Sequence, residues 1–188
     1  MTLVVGPPGV GKSTTARAVC ARHVRSVHVP VDDVRTRVLT GYVPPGPVWT
    51  ASLVEQVRLA RESALDSAHR YAAAGFAVVL DDFVDPLLLR EFDLLQGWPG
   101  VRRVVLLPTR DEARRRCAGR ETDPVLRRYV EEGIDAVYDL LGTAAASLLS
   151  RGYHFLDTSG LTVEATVDAV LDVPIADGGS ACPAPAVP

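Results

Sequence analysis

Lysine is almost absent from this chain. Of its 20 basic side chains only Lys12 is a lysine, and the rest are arginines. With that one lysine at position 12, the N-K-x-D base-reading motif of translation-type GTPases is excluded. Cysteine is scarce as well. Cys20, Cys117 and Cys182 are odd in number and far apart, with no C-x-x-C pair, which argues against a disulfide framework and against a zinc site. No apolar run approaches the roughly 18 residues of a membrane span. No leader precedes the apolar stretch Leu3-Val4-Val5, so the cytoplasm is the expected compartment. Positive charge is not in surplus either: a net charge of −3 gives no general attraction to nucleic acid or to an anionic membrane. What is present, 47% hydrophobic and 23% charged residues over a length of 188, is enough to bury a core as one globular domain.

The lone lysine stands in Gly6-Pro7-Pro8-Gly9-Val10-Gly11-Lys12-Ser13, a full match to G-x-x-x-x-G-K-[ST]. An apolar stretch precedes it and a helical stretch from Thr14 to Ala21 follows, which is the strand–loop–helix context the motif needs. Glycines let backbone N–H groups turn inward around phosphates, and the helix N-terminus adds positive potential. A slim ammonium enters such a nest where a planar guanidinium does not. Gly6, Gly9, Val10, Gly11, Lys12, Ser13 and Thr14 are therefore the expected nucleoside triphosphate-binding set, with the Ser13 hydroxyl offered to Mg²⁺.

Five short apolar, β-rich stretches, at residues 3–5, 27–29, 77–80, 104–107 and 153–156, lie between helical segments or turns. Lacking clean alternation, they suit a parallel sheet covered on both faces. Leu53, Val57, Ala60, Ala64, Ala68 and Tyr71 recur at three- and four-residue steps and predict a helix over about 50–74, ended by Gly75. The same spacing from Leu126 to Leu148 predicts a helix over 124–150. Asp85-Pro86 reads as an N-cap and first-turn proline opening a helix to about Gln96, and 162–171 makes the last helix. The alternation predicts a doubly wound α/β fold over residues 1–173, with a five-stranded parallel sheet and right-handed crossovers. A Pro- and Gly-rich turn at 41–47 and a Pro-, Ala- and Gly-rich stretch at 174–188, read as a disordered tail, break the rhythm.

Residues just beyond strand C-termini line the ligand crevice of such sheets. The second strand runs into Asp32-Asp33-Val34-Arg35. An alcohol that accepts a phosphoryl group needs a carboxylate within reach of its proton. Asp32 or Asp33 supplies it, with Asp32 preferred, and Arg35 holds an anionic or polar group of the acceptor. The plainer role is structural: Asp32 caps a helix that starts at Asp33, and Arg37 pairs Asp33. The third strand ends in Asp81-Asp82; Asp81 is the expected Mg²⁺-side acid and Asp82 is expected to face the substrate, against the alternative of a turn-forming pair. After the fourth strand, Arg110, Arg114 and Arg115 read as a solvated helix face. Arg116 and Arg120 share a helical face ahead of a break at 121–124, where they could close over a triphosphate and neutralise transition-state charge, which makes 110–128 a lid. The region 36–74 is the acceptor side, with Tyr42 and Trp49 as aromatic contacts or plain packing, and 157–160 is placed to approach the adenine.

The P-loop, Asp32-Asp33-x-Arg35, the Leu-x-Pro turn at Leu106 to Pro108 and the pair Arg116 and Arg120 together resemble the small P-loop kinases of the chloramphenicol phosphotransferase, zeta toxin and polynucleotide kinase group. The resemblance implies strand order 2-3-1-4-5, a general base at Asp32, a substrate-holding arginine at Arg35, and contacts from Arg116 and Arg120 to the ATP phosphates. The expected activity is ATP- and Mg²⁺-dependent transfer of the γ-phosphoryl group to a hydroxyl of a small-molecule acceptor: a metabolite, a nucleoside-like compound or an antibiotic. Two other readings stand beside it. A polynucleotide 5′-hydroxyl kinase is favoured by Asp-Asp-x-Arg but opposed by the acidic balance and the missing basic stripe. A nucleotide-binding regulatory protein without transfer is the third. The acceptor, ATP against GTP, and the oligomeric state, a homodimer among the options, stay open.

Overall fold

Leu3, Val4 and Val5 are wholly buried, and their strand, β1 (Thr2–Gly6), lies at the centre of the sheet. The structure, a computed structural model, describes residues 1–44, 48–84, 100–119 and 122–175, with only the backbone at 125 and 126. The expected helix at 85–96, Arg120 and the chain beyond 175 lie outside the described residues. β2 (Ser26–Pro30), β3 (Ala77–Phe83), β4 (Arg102–Leu106) and β5 (Tyr153–Leu156) join β1 in one sheet of order β2-β3-β1-β4-β5. Every neighbouring pair is parallel. This is the expected doubly wound α/β fold in the order the resemblance implies.

Helices cover both faces, and the two-residue period of the strands assigns each side chain to one of them. Leu3 and Val5 pack with Ala60, Ala64 and Ala68 of α3 (Ala51–Ala73). Val4 points the other way, to Ala16 and Val19 of α1 (Lys12–Cys20) and to Val167 and Val170 of the C-terminal helix. Burying each such Leu or Val contributes about 1.5–3 kcal/mol.

Between β2 and α3 lies α2 (Val31–Arg35); α4 (Arg110–Ala118), α5 (Pro124–Ser150) and α6 (Val163–Asp172) complete the described helices. Side chains cap three of them as the sequence invites: the hydroxyls of Thr50, Thr109 and Thr162 accept from the N–H groups of Leu53, Glu112 and Ala165. Gly75, at φ +81°, ends α3 where the sequence predicts.

Two details differ from expectation. β3 runs on through Asp81 and Asp82 to Phe83, with Val4 opposite Asp81 and Val5 opposite Asp82. Two buried carboxylates remain in the ladder because each has found a partner. Asp32 is not a helix cap: α2 starts at Val31, Pro30 is its N-cap, and no side chain caps it.

Candidate active site

The turn after β1 is built on close approach. A Cβ on Gly6 would lie 2.5 Å from the Leu106 carbonyl oxygen of β4, so only glycine lets the chain leave the sheet there. Gly11, at φ +96°, is the N-cap of α1 and brings no side chain to its amides, and the first turn of α1 carries no acidic residue. The N-terminal N–H groups and the positive end of the helix dipole are thus presented to an anion. Lys12 Nζ lies within the loop and donates to the Pro7 carbonyl at 2.9 Å.

Ser13 Oγ donates to Asp81 Oδ2 at 2.5 Å, and the other carboxylate oxygen of Asp81 lies 2.7 Å from His28 Nε2. Asp81 is 5% exposed. Burial pushes its carboxyl pKa up, but hydrogen bonds from His28 and Ser13 and the neighbouring His28 and Lys12 outweigh it, holding the group below the ordinary carboxylate value. Ser13 and Asp81 form an oxygen pair suited to Mg²⁺, which takes one or two protein oxygens and completes its octahedron with phosphate and water. Among the described residues no three His, Cys, Asp or Glu side chains form a metal cage of their own.

The residues expected on the acceptor side start level with this pair, because Pro30 at the end of β2 is in register with Asp81. The next residues, on α2, are Val31, Asp32 and Asp33. The Asp32 side chain is 57% exposed and accepts from Arg35 Nη2 at 3.2 Å; Asp33 is exposed. Arg35 is only 6% exposed, and its Nε and Nη1 are buried without a hydrogen-bond partner. Its guanidinium lies 5.8 Å from the rings of both Tyr42 and Phe83. Asp32, Arg35 and Tyr42 are therefore brought together. The Trp49 ring centroid lies 6.4 Å from that of Phe83.

The reading of Asp82 as a substrate-facing acid is corrected. Neighbours on a strand leave opposite faces, so Asp81 turns toward α1 while Asp82 enters the α3 core. There Asp82 Oδ2 meets Arg61 Nε at 2.6 Å, both side chains fully buried, and Oδ1 accepts from the Phe83 N–H. Neither Arg61 nor His28 was among the expected site residues. The available signal was a basic residue inside the apolar stripe of α3 and a histidine inside an apolar strand.

On the other flank of the P-loop lies a cavity of about 560 Å³. Val10, Gly11 and Thr14 form one wall, Glu112 and Arg116 another, and Ser159 with its neighbours after β5 a third. Thus the P-loop and the turn expected to approach the adenine share one space. Arg116 is not poised as a closing arm. Its Nε donates to Glu112 (2.7 Å), Nη1 to the Val10 carbonyl (3.3 Å) and Nη2 to the Thr158 carbonyl (2.8 Å), so it braces the P-loop against the turn after β5. Hydrogen bonds from Arg115 and Arg116 hold the Glu112 carboxyl down at about 2. Arg110 and Arg114, expected as a solvated face, stay substantially exposed and pair with Asp139 and Asp135 of α5, each at 2.7 Å.

A family model described as an AAA domain matches residues 1–125, well over half of the chain. The chain belongs to the AAA domain family. No curated protein matches this AAA domain in sequence. Among solved structures it is similar to the tunicamycin resistance protein of Deinococcus radiodurans, at 19% identity and a TM-score of 0.64, covering 93% of this chain and 96% of that one. It is also similar to shikimate kinase from Acinetobacter baumannii, solved with shikimate, at 20% identity and 0.62, covering 90% and 89%. A gluconokinase from Sinorhizobium meliloti follows at 15% identity and 0.55, covering 90% and 88%. At these identities the likeness is one of fold, and the fold is that of the small P-loop kinases. Among the described residues, no helix of the AAA domain is long and apolar enough to cross a membrane.

Proposed function

We propose that the protein is an ATP- and Mg²⁺-dependent kinase that transfers the γ-phosphoryl group to a hydroxyl of a small-molecule acceptor. The observation that carries this reading is Arg35. A guanidinium this deeply buried, with Nε and Nη1 facing no acceptor, costs free energy that a bound ligand would recover. A protein that only bound and released nucleotide would have no use for such a group beside an exposed carboxylate. The shikimate kinase and gluconokinase among its structural neighbours support an acceptor of small size.

In this reading the nucleotide base lies in the cavity between the P-loop and Ser159, and the phosphates lie in the loop around Lys12. Mg²⁺, held on the Ser13 and Asp81 side, would neutralise charge on the phosphates. Lys12 leaves the Pro7 carbonyl for a phosphate oxygen. Arg35 and Tyr42 hold the acceptor, and Asp32 takes the proton of its hydroxyl. Arg116 keeps both walls of the nucleotide cavity in place, and Arg120 keeps its sequence-based assignment to the ATP phosphates. The test is transfer of radiolabel from γ-labelled ATP to a panel of metabolites, nucleosides and antibiotics, with a 5′-hydroxyl oligonucleotide included. The expected result is label on a small hydroxyl compound, lost in Lys12→Ala. Label only on the oligonucleotide, or released only as inorganic phosphate, overturns the proposal.

A further inference from the structure

His28 sits on β2, the edge strand beside β3, level with Val79. Asp81 is two residues beyond Val79 and so shares its face of the sheet. The imidazole spans that diagonal, bringing Nε2 to 2.7 Å from Asp81 Oδ1 at 13% exposure. An ionised carboxylate only accepts hydrogen bonds, so Nε2 carries the hydrogen. The Asp81 backbone is fixed in the ladder between Val4 and Pro30, which leaves its side-chain torsions as the remaining freedom. Two donors, Ser13 on one oxygen and His28 on the other, remove that freedom. The P-loop motif accounts for Ser13 and the acid late in β3 for Asp81, but neither gives a role to a histidine on the neighbouring strand.

We propose that His28 is a positioning residue: its Nε2–H fixes the plane of the Asp81 carboxylate and so pre-forms the cation site that Asp81 shares with Ser13. Partners behind a metal-binding group typically change affinity by about 10- to 100-fold when removed. The inference rests on the nucleotide-and-metal half of the proposed function and not on any acceptor.

The experiment is a thermal-shift titration of Mg²⁺ at a fixed concentration of a non-hydrolysable ATP analogue, with no acceptor present. It compares wild type, His28→Asn and His28→Gln. A glutamine amide reaches the position of Nε2, whereas an asparagine amide stops near Nδ1, so the two polar variants differ mainly in reach. His28→Asn is expected to raise the half-saturating Mg²⁺ concentration by about 10-fold or more. His28→Gln should return it toward the wild-type value, and the shift given by the analogue without metal should be the same in all three proteins. An unchanged Mg²⁺ requirement in His28→Asn overturns the proposal, as does a uniform loss of melting temperature at every Mg²⁺ concentration or a glutamine that fails to rescue. If His28→Asn does not fold, His28→Gln alone decides: a wild-type Mg²⁺ requirement supports the proposal and a raised one overturns it. A failed transfer screen leaves this result standing, because no phosphoryl group moves in the assay.

Discussion

In β3 the chain turns Asp81 to Ser13 of the P-loop and Asp82 into the α3 core, and each has consequences that single substitutions expose. Lys12→Ala should keep the far-ultraviolet circular dichroism of the wild type and lose transfer altogether, because the ammonium lies within the phosphate-binding loop; unchanged turnover would remove the site assigned around it. Asp32 accepts a hydrogen bond from the buried Arg35 and is the base of the proposed transfer. Asp32→Asn should therefore lower kcat by about 10²-fold or more with little change in ATP affinity, the size expected of a lost general base. If Asp33→Asn has that effect instead, the two aspartates exchange roles. Asp81 makes a prediction about acid. Its native pKa is depressed, so its ion-pair and hydrogen-bond stabilisation is complete above the ordinary carboxylate range and fades as pH falls through the native value. Urea denaturation at a series of pH values should show Asp81→Asn losing stability less steeply than wild type below about pH 4.

Helix α3 is fastened to the end of β3 by Arg61 and Asp82, a pair with no exposed side-chain surface. Removing one member of a buried pair leaves an uncompensated charge, while replacing both with apolar groups is often neutral. Arg61→Met alone should destabilise the fold by about 3–5 kcal/mol, and Arg61→Met with Asp82→Leu should recover most of that loss in equilibrium urea unfolding. Equal destabilisation by the single and double variants would mean that the pair holds α3 through specific geometry rather than through charge balance. The pairing of α4 with α5 is of a different kind. Arg110–Asp139 and Arg114–Asp135 are substantially exposed, and such pairs contribute about 0.2–1 kcal/mol each. Ala113 and Cys117, both buried, share a hydrophobic cluster with Ile134 of α5.

Across the whole molecule, what the sequence discloses is what depends on near neighbours. The apolar runs place all five strands, the three- and four-residue spacing marks the helices at 51–73 and 124–150, and the P-loop names its own residues. What it hides is contact between distant positions. His28 meets Asp81 across 53 residues and Arg61 meets Asp82 across 21, so neither pairing leaves a local pattern. The divergence of Asp81 from Asp82 was readable in principle from strand alternation, once both were known to lie inside β3. Charge, in contrast, is legible from composition and bears on the acceptor. The net charge is −3, and arginines such as Arg22, Arg58, Arg110, Arg114 and Arg128 face carboxylates rather than forming a basic stripe. A nucleic-acid substrate held by 6–10 phosphate contacts would lose about 10³–10⁵ in affinity between 50 and 200 mM salt, whereas a single anionic contact at Arg35 loses only about three- to fourfold over the same range. The KM for the phosphoryl acceptor should therefore rise by no more than about fourfold between 50 and 200 mM KCl. A rise of two or more orders of magnitude would move the acceptor from small molecules to polynucleotides while leaving the nucleotide half of the site as described.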